Sequence, residues 1–249
     1  MKTLWLMYLT EAKLSAREFS TILFGLLMPV GLMVLFGFLF GDSPVAGQQL
    51  GQVFLSFPAV ATIGLFATGL MTVPLALSEY CGRGILKRYR VTPVSPAILL
   101  LAHMLYCFSL SIRSTLLVYL AAAGLFGFSF RGSAACFIPA YFLVMFAMHA
   151  IGLTVASLAP DAKTAGVACS LLYFPMLLLS GATIPYEILP PAMRSVADFM
   201  PLTQGIQLLK TTALGEPFGT PVLAVTVLLA VTPIGGGIAV KFFQWESPR

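Results

Sequence analysis

The chain has 249 residues, of which 59% are hydrophobic and 9% charged, with a formal net charge of +5. Soluble domains carry about 25% charged residues, so a soluble chain this poor in charge could not cover its surface with polar groups. A bilayer removes the difficulty, because lipid-facing side chains should be apolar. The composition therefore reads as a membrane protein, and its long apolar runs make it all-α with no separate soluble domain expected.

Residues 3–18 read as an N-terminal interfacial amphipathic helix, with Leu4, Met7, Tyr8 and Leu14 on one face and Glu11, Lys13 and Arg17 elsewhere. A cytoplasmic extension of the first span is the alternative. Charges interrupt this segment, so no cleavable signal peptide is expected. Six apolar stretches follow at about 20–40, 53–77, 98–128, 134–158, 165–184 and 220–243, each near the ~20 residues that a crossing requires. They are too long for strands and do not alternate as a porin wall would.

Lys and Arg favour the cytoplasmic side. With Met1 inside, ten of the fourteen basic residues fall inside and three outside (Arg131, Arg194 and Lys210), and Arg113 lies within a span. An even number of spans then returns the C-terminus to the cytoplasm. The positive charge is thus an orientation signal rather than a nucleic-acid footprint, and no nucleic-acid partner is expected. Cys81, Cys107, Cys136 and Cys169 are far apart and lack a CxxC, so they read as small buried side chains with no metal site.

Pro29, Pro74, Pro139, Pro175 and Pro233 fall inside spans and predict kinks. The connection at 78–97 is the longest on the cytoplasmic side. Within it Ile85, Leu86 and Tyr89 can line one side of a short helix, ringed by Arg83, Lys87, Arg88 and Arg90. A headgroup anchor and a helix presented to a cytoplasmic protein are both open. On the outer side, Pro185, Pro190, Pro191 and Pro201 cut 184–210 into pieces too short to span. Pro191 is suited to a first helical position, Arg194 and Asp198 are spaced i,i+4, and Pro201 should end that helix before another over 202–213. The result is a broken, partly re-entrant hairpin between spans five and six.

No Asp or Glu lies clearly inside a span, which argues against a carboxylate proton relay. No P-loop motif is present, so the chain does not bind ATP through one of its own. A charge mid-span costs about 2.5–3.5 kcal/mol on insertion scales. Arg113 should therefore either snorkel to an interface or face the bundle interior along a transport path. His103 and His149 read as hydrogen-bonded core residues, with a place on the path as the sharper alternative for His149.

Two segments carry a family resemblance. The stretch Glu79-Tyr80-Cys81-Gly82-Arg83-Gly84-Ile85-Leu86-Lys87-Arg88-Tyr89-Arg90-Val91-Thr92-Pro93 is similar to E-R-E-x-G-T-L-x-R-L-x-x-T-P. It matches at Glu79, Gly84, Leu86, Arg88, Thr92 and Pro93 and departs at Cys81 and Ile85. The outer segment, with Ser180-Gly181, Pro185, Pro190-Pro191 and Pro201-Leu202-Thr203, is similar to S-G-x-x-x-P followed by prolines and P-L-T. With an interfacial helix and six spans around them, the whole chain resembles the ABC type-2 permeases, including drug-resistance, nodulation-factor and polysaccharide exporters.

The resemblance implies a non-catalytic permease of the cell membrane. Two copies of a P-loop ATPase, which hold the ATP and Mg, would drive it, together with a second permease as a homodimer or close paralogue. Glu79, Gly84, Leu86, Arg88, Thr92 and Pro93 would couple to the ATPase, with Asp161 and Lys163 as a second cytoplasmic contact. Pro185, Pro191, Arg194, Asp198 and Pro201 would lie near the exit. The substrate would be an amphipathic drug, lipid or small peptide, or else a lipid-linked glycan. An ATP-independent transporter or channel, and a membrane-embedded enzyme, are the readings from other classes.

Overall fold

A computed structural model describes residues 2–40, 52–84, 96–182, 190–215 and 220–242. Among these residues the regular structure is entirely helical. The helices are α1 (Lys2–Ser15), α2 (Phe19–Ile22), a π-turn (Leu23–Leu27), α3 (Met28–Phe40), α4 (Gln52–Ala67), a second π-turn (Thr68–Thr72), α5 (Val73–Gly82), α6 (Pro96–Phe126), α7 (Ala134–Leu158), α8 (Ala162–Leu179), α9 (Pro191–Ala197), α10 (Pro201–Leu214) and α11 (Pro221–Phe242).

Five of these stretches are long and apolar enough to cross a membrane: Val53–Gly82, Ala97–Phe126, Ala134–Leu158, Ala162–Leu179 and Pro221–Phe242. The expected first span yields a shorter apolar stretch, Leu23–Leu39, which begins with a π-turn. Both π-turns have a local cause. Pro29 and Pro74 lie two residues beyond their ends, and a helix-interior proline clashes with the preceding turn and offers no N–H. Widening that turn makes room, and the amides of Met28 and Val73 reach back five residues to the carbonyls of Leu23 and Thr68.

The second span forms the centre, with α3, α6, α7, α8 and α10 around it. Small residues set its closest approach. A Cβ on Gly152 of α7 would collide with the carbonyl oxygen of Gly69, and one on Gly69 would sit 2.8 Å from the Met148 carbonyl. Lipid-embedded helices pack through such small residues because no hydrophobic driving force acts between them. At one end, Phe57 gathers Phe128, Phe130, Phe137 and Tyr119 into an aromatic cluster, with Phe128 nearest at 4.5 Å between ring centroids.

The hairpin before the last span is broken as expected, with Pro191 opening α9 and Pro201 opening α10. Helix α10 is buried along most of its length among α4, α7 and α11. Its Gly205 sits against Val144 and Thr62, each about 15 Å along α7 and α4 from their starts by helical rise. Its far end returns to the α6–α7 connection, where the amides of Arg131 and Gly132 donate to the Ala213 carbonyl. The hairpin therefore dips into the bundle and comes back.

Three expectations need correction. The second span runs to Gly82 rather than 77, so Glu79 lies on a helix and not in a loop. Glu11 is not on the outer face of α1: it is buried on the packed face with Ser15. Of the cysteines, Cys107 and Cys169 are buried, whereas Cys81 is half-buried and Cys136 exposed.

Candidate functional site: the junction of α1, α5 and α6 and the turn before α8

Helix α1 packs along the first half of α6 through a stripe spaced i, i+3, i+4: Leu4, Met7, Tyr8, Glu11, Ala12 and Ser15. Trp5, Leu6, Leu9 and Leu14 stay exposed on the other side. Glu11 is 2% exposed and receives hydrogen bonds from two other elements. The Tyr80 hydroxyl of α5 donates to both carboxylate oxygens at 2.9 and 2.8 Å, and His103 Nδ1 of α6 lies 2.9 Å from Oε2. With Nδ1–H as donor, the other ring nitrogen faces Cys107 Sγ at 3.5 Å. Each member of this chain of contacts then has a complementary partner, as a buried carboxylate requires. A cleft of about 410 Å³ opens beside it, lined by Glu11, Tyr80 and Leu99.

Tyr80 adjoins Glu79, the first residue of the predicted coupling segment. Glu79 pairs with Arg83 one turn on, and the Arg83 amide donates to the Glu79 carbonyl at 2.9 Å. Gly84 ends the helix with φ +64°, a conformation that a side chain disfavours. Leu86, Arg88, Thr92 and Pro93 lie outside the described residues.

The turn into α8 sits at the same end of the bundle. Gly166 meets Leu75 of α5, one turn before Glu79. Asp161, one turn before Gly166, caps α8 by accepting a 2.7 Å bond from the Thr164 amide. That bond holds the carboxyl below the ordinary carboxylate range. Lys163 is exposed beside it. Helix α5, which carries Glu79, thus packs against α8, which Asp161 caps. From Lys163 an open groove of about 710 Å³ runs along α8 past Val167, Leu171 and Phe174.

The remaining predicted residues lie apart from this junction. Pro185 falls outside the described residues. Pro191 and Pro201 start α9 and α10, and the Asp198 amide donates to the Arg194 carbonyl. The fully buried Gln204 donates to the Asp198 carbonyl at 2.6 Å, closing the corner between the two helices. His149 is 1% exposed, with Nδ1 2.8 Å from the Met145 carbonyl and Phe108 against its ring. Arg113 is exposed, and its guanidinium turns back one helical turn to Ser109.

Sequence reasoning missed Glu11, Tyr80 and His103 as a set. The available signal was that Glu11 falls within the stripe that also holds Leu4, Met7 and Tyr8.

The sequence profile of the family described as ABC-2 type transporter matches residues 2–214. The chain belongs to the ABC-2 type transporter family. Among its relatives, Nodulation protein J of Rhizobium leguminosarum bv. viciae is 27% identical over 198 residues, covering 77% of this chain and 76% of that protein. Nodulation protein J of Sinorhizobium fredii is 26% identical over 204 residues, covering 80% and 78%. Nodulation protein J of Bradyrhizobium diazoefficiens is 24% identical over 210 residues, covering 82% and 80%. Membership makes this chain a multi-pass membrane subunit of a family that works with an ABC ATPase. The matched region includes α1, both segments of the junction and the whole broken hairpin.

Proposed function

We propose that this chain is the permease subunit of an ATP-driven exporter of amphipathic or hydrophobic substrates. Phe19–Phe40 completes six crossings of the cell membrane, and both termini are cytoplasmic. Two permeases work with two ATPase subunits. ATP closes the ATPase pair, and the connection after α5 passes that movement to the spans. The observation that carries the reading is the junction itself: the root of that connection, at Glu79 and Gly84, and the turn holding Asp161 and Lys163 share one end of the bundle. An ATPase docked there would touch both and, through α5, move the most buried span. The groove along α8 suits a substrate with an apolar body, and the hairpin carrying Pro191, Arg194, Asp198 and Pro201 stands near the exit.

The test is reconstitution with the P-loop ATPase that co-purifies with this chain. Phosphate release and accumulation of a fluorescent amphipathic dye are followed in the same vesicles. Glu79→Ala with Arg88→Ala should leave the protein folded and the ATPase active while dye transport per ATP falls at least several-fold. An unchanged ratio removes the coupling role, and dye transport without any ATPase removes the exporter reading.

A further inference from the structure

Arg113 stands among apolar residues on α6, with Ile112, Leu116 and Leu117 exposed around it. Among the described residues the structure gives it no carboxylate. Helix α6 has 31 residues, about 46 Å by helical rise, against a hydrocarbon core of about 30 Å. It can therefore project beyond the core at one end, and α1 lies along that end.

The contacts fix the level of the guanidinium. The Tyr8 hydroxyl of α1 donates to Ser109 Oγ at 2.9 Å, and Arg113 Nη2 donates to the same oxygen at 3.2 Å. Arg113 Nε donates to the Ser109 carbonyl at 3.0 Å. Ser109 Oγ in turn donates to the Tyr106 carbonyl. The guanidinium carbon lies 5.7 Å from the centre of the Tyr106 ring. Trp5 stacks on Tyr8 at 5.3 Å between ring centroids, and Tyr8 leans on Tyr106. The charge is thus drawn back to the level of α1, whose exposed Trp5 and Leu6 beside exposed Lys2 and Lys13 mark a helix of the headgroup boundary.

We propose that Arg113, positioned by Ser109 and Tyr8, binds the phosphate of an anionic membrane lipid. A guanidinium has five N–H groups in a planar fork suited to phosphate. Two are engaged by Ser109, which fixes the fork and leaves the others for a ligand. Among the described residues no acidic side chain neutralises the charge, and the apolar residues beside it suit acyl chains. Trp5 and Tyr8 supply the flat amphipathic wall that aromatic residues offer at a membrane interface.

Trp5 is also the reporter. The sequence has two tryptophans, and Trp245→Phe leaves Trp5 alone. The full chain is placed in phosphatidylcholine nanodiscs containing phosphatidylglycerol or phosphatidylcholine that carries a nitroxide next to the headgroup, at equal mole fraction. The expected result is stronger quenching by the phosphatidylglycerol probe. The ratio of the two association constants should fall about five-fold in Arg113→Gln, the factor that one basic group near an anionic surface supplies. It should persist in Arg113→Lys. Arg113→Met reads the same loss if Arg113→Gln does not fold. Equal quenching by both probes in the parent, or an unchanged ratio without Arg113, overturns the proposal. Relief of the quenching by inorganic phosphate overturns it in favour of a free anion.

Discussion

Replacing Glu11 by alanine should be among the most destabilising single changes in this chain outside its helix crossings. The carboxylate is 2% exposed and is the common acceptor for Tyr80 and His103. Truncation removes two hydrogen bonds to a charged group and leaves His103, itself 1% exposed, without its Nδ1 partner. Removing one partner of such a buried pair costs about 3–5 kcal/mol. At roughly 2–4 °C per kcal/mol for a domain of this size, the thermal midpoint in lipid nanodiscs should drop by about 6–20 °C. Tyr80→Phe, which removes one bond to a charged acceptor and keeps the ring, should cost less, about 1.5–3 kcal/mol. Added to Glu11→Ala it should cost little more, because the bond is already gone. Glu11→Leu with His103→Phe should regain part of the loss, since replacing both partners of a buried pair with apolar groups can be nearly neutral. A midpoint for Glu11→Ala within about 1 °C of the parent would refute the assignment of this network as a structural tie.

Two further outcomes follow from local geometry. Gly152→Ala should abolish recovery of monodisperse protein on size exclusion, because its Cβ would occupy the position of the Gly69 carbonyl oxygen, and backbone cannot swing aside. Gly31→Ala, which meets nothing within 4 Å, should be recovered like the parent. Asp161→Ala should raise amide exchange over the first turn of α8 while leaving α7 unchanged. The same loss should come from acid alone. A carboxyl depressed in the folded state stabilises above its ordinary range, so the cap persists at neutral pH and is lost as pH falls through the lowered value.

The span that was legible to the residue was 134–158, where Pro160 and the polar Ser133 punctuate both ends of an apolar run. The sequence places the end of the second span five residues short, because Ser78-Glu79-Tyr80 looks like the start of a loop. Tertiary contacts keep it helical: Ser78 is buried and Tyr80 reaches Glu11. The π-turn in the first span was hidden for a different reason. Pro29 announces a disturbance, but sequence does not say whether the helix bends, breaks or widens. The Glu11 network was least legible of all, since its partners are 69 and 92 residues away along the chain. An acidic residue near the N-terminus of a membrane protein ordinarily reads as solvated, and only the stripe position of Glu11 argued otherwise. The packing of α5 against α8 was not legible in the sequence, because it depends on how the two helices cross.

The two polar contacts of α1 make a last prediction that separates docking from local stability. Tyr8 and Glu11 are three residues apart on α1, and their α6 partners Ser109 and His103 run in the opposite order. A helix of 14 residues is marginal by itself, so α1 persists only while docked. Its apolar stripe is interrupted by Glu11, so the two polar ties fix where along α6 it sits. Losing the Tyr8 hydroxyl should leave α1 docked through Glu11, because the neutral contact it removes is worth only about 1 kcal/mol. Losing Glu11 leaves the Tyr8 tie and the packing of Leu4 and Met7. Losing both removes the Tyr8–Ser109 bond and the bonds of Glu11 to Tyr80 and His103 that tie α1 to the spans. Tyr8→Phe with Glu11→Ala should therefore raise amide exchange over residues 4–12 by more than the product of the two single effects, with the spans still protected. Full release of α1 by Tyr8→Phe alone would show that the aromatic end, rather than the buried carboxylate, holds this helix to the bundle.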